Sequence, residues 1–386
     1  MKILQVHNLY RIPGGEDVVV EAEKSLLEAK GHHVVQLTKN NTDIRGLKKK
    51  VSLLFQTHYN PKAKVDLLET LRAEQPDVAH VHNFFPLFSP SIFESFAEFK
   101  VPCVMTLHNY RLLHPNGLML HNGRLDLRSL NGSAYNCVID GVYRSSIIQT
   151  AVVAHMIEYH RSHRTWNNQV NRFIALSFFA RDVFVKGGIP DHKIVVKPNY
   201  LPSYLSHSPL PADQRKGFIY IGRISEEKGL APLLEHWASY QTQELHIVGD
   251  GPLLEPLMNR FKNNHITWYG RLGRTASLEL LSNCKALLFP SICYENFPMT
   301  ILEAFARGIP VISNNFGSHG SLITHGKNGY LYSADQPDQL TFAVDLLSKN
   351  PDILNEVSGN AYSTYQSDYT DQANYDQLMS IYESIL

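Results

Sequence analysis

The chain has 386 residues, enough for two domains that each bury a core of their own. With 44% hydrophobic and 19% charged residues it belongs with globular chains and not disordered ones, and no stretch approaches the roughly 20 apolar residues that cross a bilayer. Its zero net charge hides an asymmetry, because residues 1–199 carry 24 Lys/Arg against 17 Asp/Glu and the remainder 12 against 19. The basic half suits an anionic membrane surface or a phosphorylated partner, or is simply scattered solvated charge. No Arg/Lys-rich stripe or nucleic-acid-binding motif is present, which argues against nucleic acid as a partner. Cys103, Cys137, Cys284 and Cys293 contain no C-x-x-C pair, so neither a disulfide framework nor a zinc site is expected and a reducing cytoplasm is the default compartment.

In chain order, MKILQVHNLYRIPGG has an apolar run too short for a signal-peptide core and reads as a first strand over 2–7. Further strands are expected at 33–37, 78–81, 102–107, 173–176 and 194–196. Helices are expected near 17–30, 62–75, 90–99, 145–160 and 178–187. Such alternation indicates a parallel sheet with crossover helices. The proline-rich stretch 197–217 has no clear period and reads as a linker. A second series follows, with strands at 218–222, 245–248, 266–269, 286–290 and 310–313 and helices at 230–240, 252–262, 275–283 and 298–307. A last helix over 371–386 carries Tyr375, Leu378, Met379, Tyr382 and Ile385 as one apolar stripe that needs a surface to cover. The organisation is therefore α/β, with doubly wound parallel-sheet domains over 1–198 and 199–370, a terminal helix over 371–386, and ligands at the carboxyl ends of the strands.

Segment 286–307, ALLFPSICYENFPMTILEAFAR, is the most informative. A strand ends at Phe289, a loop holds Glu295, and a helix opening near Pro298 holds Glu303. The free N–H groups of Met299 and Thr300 offer a seat for a diphosphate, and Glu303 could accept hydrogen bonds from ribose hydroxyls. In FIYIGRISEEKGL, Arg223 and Lys228 flank a strand-to-helix turn and could clamp a diphosphate. In HIVGDGPLLEPL, Gly249 and Gly251 allow close backbone approach, but G-x-G-x-x-G is incomplete, which counts against a nicotinamide enzyme. Gly14–Gly15 and His108 follow strands of the first half. His80, His82, His114 and His121 show no metal-ligand spacing, and no D-x-D occurs, so no metal is expected to bridge a diphosphate. Singly, each feature is better explained by a solvated loop, a helix surface or a structural histidine; their combination is what points to a donor site.

The segments GGE (14–16), HNFFPLFSP (82–90), TLHNYRLLHPNG (106–117), FIALSFFARDVF (173–184), VVKPN (195–199), GRISEEKG (222–229), VGDGP (248–252) and ENFPMTILEAFARGIPVI (295–312) resemble, in order, the retaining glycosyltransferase family four, or group 1. The likeness is to its bacterial polysaccharide-assembly members. It implies a GT-B fold, two Rossmann-like domains facing a central cleft, and transfer of a sugar from a nucleotide-sugar to a glycan or lipid-linked acceptor. It implies that His108, Glu295, Arg223 and Lys228 serve catalysis. Gly15, Gly222, Gly249, Arg271, Asn296, Phe297, Pro298, Met299, Thr300 and Glu303 would complete the donor site, and Gly14, His82, Asn83, Tyr110 and Arg111 would face the acceptor. The terminal helix would cross back onto the first domain. Two positions depart from the pattern: Asn296 stands where a glycine is usual, and of the cysteines common after TLHNYRLL only Cys137 remains. No first-half residue reads as a dedicated nucleophilic carboxylate, so front-face departure with retention is expected. Segment 144–164 is either a membrane-surface helix at the cytoplasmic face or a helix packed in the first domain, the second being favoured. Rival functions are a nucleotide-sugar epimerase, a sugar phosphorylase and a non-catalytic sugar-binding protein.

Overall fold

The computed structural model describes residues 1–11, 14–238, 243–336 and 338–386. It divides into unit 1, comprising Met1–His121, Leu125–Asn199 and Asn374–Leu386, and unit 2, comprising Asn122–Arg124 and Tyr200–Ala373.

Unit 1 is built on β1 (Lys2–Leu9), β2 (His33–Asn40), β3 (Val78–Asn83) and β4 (Cys103–Leu107). The short β5 (Leu120–His121) and β6 (Arg124–Leu125) lie outside the sheet, which resumes with β7 (Arg172–Ala175) and β8 (Ile194–Val196). The described strands are parallel in the order β2-β1-β3-β4-β7-β8. Both β3 and β4 are buried along their whole length, as central strands covered by helices on both faces must be. Their apolar-rich sequences alternate with helices started by local signals: Asn60 caps Pro61–Glu74, Ser146 caps Ile147–Ser162 and Ser177 caps Phe178–Lys186 by accepting backbone N–H bonds. The strand order reverses between β1 and β3. There the register slips after Val6, so that His7 stands opposite Asn83.

Helix Ile147–Ser162 buries Val153, Ala154, Met156, Ile157 and His160, which makes it a core helix, while Ile147 and Ile148 of its first turn are exposed. Helix Gly46–Gln56 is not legible in the sequence because the apolar residues Val51 and Phe55 do not mark a buried face; both are exposed. The helix Asp371–Glu383 buries Leu378, Ile381 and Tyr382. From Asn374 onward it belongs to unit 1, where Tyr382 OH meets His80 Nδ1 at 2.7 Å and Tyr375 OH meets His32 Nε2 at 2.9 Å.

Unit 2 holds β9 (Phe218–Ile221), β10 (Leu245–Val248), β11 (Ile266–Gly270), β12 (Ala286–Phe289), β13 (Val311–Asn314) and β14 (Gly329–Tyr332). Their parallel order, β11-β10-β9-β12-β13-β14, is that of the dinucleotide-binding fold, with the reversal between β9 and β12. The helix expected over 230–240 is seen over Leu230–Trp237, and its last two expected positions, Ser239 and Tyr240, lie outside the described residues.

Helices Asp338–Lys349 and Pro351–Asp368 and strand β14 extend the second series beyond what its apolar runs suggest. The second of these helices is hard to read because it buries Ser358, Ala361 and Tyr365 beside Leu354 and Val357, and not an aliphatic stripe. From Tyr200 on, the proline-rich stretch is docked within unit 2. Arg215, 2% exposed, donates to the carbonyls of Leu210 (2.9 Å) and Gly308 (2.8 Å) and to Ser358 Oγ (2.8 Å). The loop after β10 lies directly on the loop after β9. Gly249 has φ +149°, and a Cβ there would overlap the Gly222 carbonyl oxygen.

Gly249→Ala should therefore cost about 1–3 kcal/mol or more, since backbone and not a flexible side chain would have to move. Denaturant unfolding checks this, and a midpoint equal to that of the wild type would contradict it.

Candidate functional site

In unit 2 the reversal between β9 and β12 is where parallel sheets of this order hold ligands. Beyond β9, the Gly222 N–H donates to Val248 O (3.0 Å) and the Ile224 N–H to Asp250 O (2.9 Å). The turn Glu226–Lys228 then ends at Gly229, whose φ is +68° and whose place against Pro290 O leaves no room for a Cβ. That approach fastens the turn to the loop after β12: the Ile292 N–H donates to Glu227 O at 3.0 Å, and Ser291 Oγ lies 3.2 Å from the same carbonyl. Lys228 Nζ consequently donates to Glu295 Oε1 at 2.6 Å, and Ser291 Oγ lies 2.8 Å from that same oxygen.

Burial alone would lower the Lys228 ammonium, but the facing Glu295 carboxylate outweighs it and holds the group above its ordinary value. Burial likewise pushes Glu295 up, and Lys228 and Ser291 pull it below the usual carboxylate range. Both partners are thus charged. Arg223 is exposed, and its guanidinium has no hydrogen bond or ion pair among the described residues. Glu303 accepts from Arg274 Nη2 at 2.9 Å, yet burial keeps its carboxyl above the ordinary range. Pro298 is the N-cap of helix Met299–Phe305, with extended backbone; the expected place for it was the first helical position.

The unit 1 reversal gathers a different chemistry. His7 Nε2 meets Asp17 Oδ1 at 2.8 Å, and the Gly14 N–H donates to Asp17 Oδ2 at 2.8 Å, which shapes the Gly14–Gly15 turn. Tyr10 OH donates to Glu16 Oε2 at 3.0 Å, and burial pushes Glu16 up to about 8. Further in, Lys197 Nζ donates to Glu23 Oε1 at 2.8 Å. Glu23 Oε2 lies 3.6 Å from His82 Nε2, and His82 Nδ1 lies 3.1 Å from His108 Nε2. A carboxylate facing His82 Nε2 favours the proton there, so His82 Nδ1 accepts from the His108 Nε2–H. Burial lowers His108 to about 3, so the ring is neutral.

The remaining residues divide by exposure. Arg111 stacks its guanidinium on Phe85 (4.6 Å) and Tyr143 (4.9 Å). Tyr110 is buried with its ring stacked on Phe184, and Asn83 is buried with its amide on Asn8 O at 3.2 Å and the Phe85 N–H at 2.9 Å; both serve packing and loop shape. Arg271 is exposed, whereas Asn296 and Phe297 are buried.

Residues 13–201 match the profile described as Glycosyltransferase Family 4, and residues 206–364 that described as Glycosyl transferases group 1. The chain belongs to the group 1, family-four glycosyltransferases. The lipopolysaccharide 1,6-galactosyltransferase of Escherichia coli (strain K12) is 30% identical over 201 residues, or 49% of this chain and 55% of that one. The alpha-D-kanosaminyltransferase of Streptomyces kanamyceticus is 27% identical over 181 residues, 45% of this chain and 47% of that one. The match spans about half the length of these curated relatives. Among solved structures, the lipopolysaccharide outer core galactosyltransferase WaaB superposes with TM-score 0.67 at 18% identity, covering 100% of both chains. Anabaena HepE in complex with UDP-glucose does so with TM-score 0.67 at 17% identity, again over 100% of both. Those two likenesses show a shared fold, the GT-B type with two parallel-sheet α/β domains.

For this family-four glycosyltransferase, sequence reading missed Arg274, Ser291, Glu16 and Lys197, whose partners or burial the extended chain does not reveal. His319 was missed too: its ring is fully buried, with Nδ1 2.9 Å from Asn314 Oδ1 and its carboxylate neighbour Glu295 acting on its charge. Glu23 had a legible signal. It is an acid on the buried stripe of Val19, Val20 and Leu27, a place that an unpaired charge would not occupy.

Because the folded state raises Glu16 from 4.5 to about 8, its protonated form stabilises the fold fully below the unfolded value, and that contribution is lost as pH rises through about 8. Glu16→Gln should flatten the decline in unfolding free energy between those two values. Denaturant melts across that range check it, and an unchanged slope would refute the assignment.

Proposed function

We propose that the chain transfers a sugar from a nucleotide-sugar to a hydroxyl acceptor, with retention and without a metal at the diphosphate. The observation that carries this reading is the half-buried Lys228–Glu295 pair at the unit 2 strand reversal, with the unengaged guanidinium of Arg223 on the adjoining turn. A diphosphate entering there gains two cations on one turn, which supplies the charge neutralisation that a metal would otherwise provide. The Met299 and Thr300 N–H groups add donors at a helix start. Glu295, oriented by Ser291, would accept hydrogen bonds from the hydroxyls of the transferred sugar. Glu303, oriented by Arg274, would take the ribose.

In the retaining step the acceptor oxygen forms its bond to the anomeric carbon on the face from which the diphosphate departs. The bond to the leaving oxygen breaks, and the departing phosphate takes the acceptor proton. Neutral His108, its Nε2–H taken up by His82, would accept a hydrogen bond at Nδ1 beside the reacting sugar without adding positive charge. The names of the relatives, a lipopolysaccharide galactosyltransferase among them, support an acceptor in cell-surface glycan assembly.

A lipid-linked form of that acceptor is supported by a cavity of about 450 Å³ in unit 1, lined by Leu54, Phe85, Val152 and Val153 and flanked by Arg11 and Arg144. Phe55 and Ile148 are exposed nearby in the helices that contribute Leu54 and Val152. No helix of the described residues is long and apolar enough to cross a membrane. The form of contact proposed is peripheral attachment at the cytoplasmic face, through the exposed apolar residues beside this cavity.

Thermal shift against UDP-, GDP- and ADP-sugars should show stabilisation by one class, since a ligand of the native state raises apparent stability. Lys228→Ala should lower the transfer rate by about 10²–10³-fold, the scale of losing one charge-stabilising group. Product analysis by mass spectrometry and NMR checks both bond formation and anomeric configuration. Wild-type turnover in Lys228→Ala, or a free epimerised sugar as sole product, would overturn the proposal. Added Mg²⁺ or Mn²⁺ should leave the rate unchanged.

A further inference from the structure

Between β4 and helix Ile147–Ser162 the chain runs through residues 108–146 with only two-residue strands and short turns. Long segments of this kind seldom hold a fixed shape by packing alone. Yet polar groups share its interior with Leu112, Leu113 and Met119: His114, Ser129 and Cys137 are fully buried, and Asp126 is nearly so.

Three of these side chains converge. His114 Nε2 lies 3.4 Å from Asp126 Oδ2, Cys137 Sγ lies 3.6 Å from His114 Nε2, and Cys137 Sγ lies 3.9 Å from Asp126 Oδ2. Tetrahedral zinc with ordinary bonds to nitrogen, sulfur and oxygen separates its ligands by about 3.4–3.6 Å. The observed triangle has nearly those edges, and its nitrogen–oxygen edge is longer than a good hydrogen bond. The hydroxyl of Ser129 is buried without a hydrogen bond of ordinary geometry and lies beside the Cys137 thiol.

We propose that His114, Asp126 and Cys137, completed by Ser129 or a water, form a structural zinc site that staples the 108–146 segment. A nitrogen, a thiolate and a carboxylate in tetrahedral array suit Zn²⁺ better than Mg²⁺ or Ca²⁺, which take oxygen ligands. Arg128 holds the carboxylate from outside, with Nε on Oδ1 at 2.9 Å and Nη2 on Oδ2 at 2.8 Å, the kind of outer partner that orients a metal ligand. On binding, the Cys137 thiol releases its proton to solvent as the zinc–sulfur bond forms. The His114 ring carries its proton on Nδ1, giving up the long 3.3 Å contact from the Asn116 N–H. No oxidation change is involved. The site is independent of the donor diphosphate, where no metal is proposed. The ligands escape motif searches because Cys137 stands 23 positions from His114 and 11 from Asp126.

The test uses the full chain purified from zinc-supplemented medium. Elemental analysis after dialysis should find about one zinc per chain. Replacement by Co²⁺ should give the visible bands of a tetrahedral ion together with a thiolate-to-cobalt charge-transfer band. Cys137→Ser should abolish that band and lower retained metal by about tenfold or more, while Cys284→Ser keeps both. Wild-type protein that retains no zinc and shows no tetrahedral cobalt spectrum overturns the proposal, as does a charge-transfer band that survives in Cys137→Ser. The wild-type cobalt spectrum decides the matter even where the variants fail to fold.

Discussion

The Lys228–Glu295 ion pair is the constraint on which the unit 2 site depends. It joins the turn after β9 to the loop after β12, the two strands between which the sheet reverses. Opposite charges at 2.6 Å, partly withdrawn from water, attract more strongly than a surface pair. Each would be costly to bury alone. The pair can form only because Gly229 lets the turn approach Pro290, and because Ser291 satisfies Glu295 from its own loop. The result is a lysine held charged and in place by the protein alone.

Unit 1 shows the opposite electrostatic solution. Its strand reversal is crowded with histidines, and burial keeps His80, His82 and His108 neutral. Burial would raise Glu23, but the Lys197 ammonium holds it below the ordinary carboxylate range, and Asp17 is likewise held low against burial by His7 and the Gly14 N–H. Glu16, paired with a phenol and not a cation, is instead pushed toward its protonated form. One helix, Gly15–Ala29, therefore presents two acids with opposite protonation, and the partner each one meets decides which it adopts.

The irregular segment 108–146 follows neither pattern. It has no long strand or helix to satisfy its backbone, and it hangs its polar interior on side chains: Arg161 reaches the Ser129 and Gly132 carbonyls, and Glu158 accepts the Ala134 N–H at 2.6 Å. A helix of the sheet domain thereby anchors a segment that has little regular structure of its own. This is the setting in which a bound metal would add most to order.

By itself the sequence determined the alternation of elements apart from helix Gly46–Gln56, strand β14 and the two helices after it, together with the parallel sheets and the residues at strand ends, because apolar periodicity and turn chemistry are local. Glu295, Glu303, Arg223, Lys228 and His108 were legible for the same reason: each follows a strand whose end could be read. Pairing is not local. That Lys228 would meet Glu295 and Glu303 would meet Arg274, and that Tyr110 would turn into the core, depended on which loops the strand order brings side by side. The protonation of Glu16 and the gathering of His114, Asp126 and Cys137 likewise arose only on folding, because burial and proximity between distant residues do not exist in the extended chain.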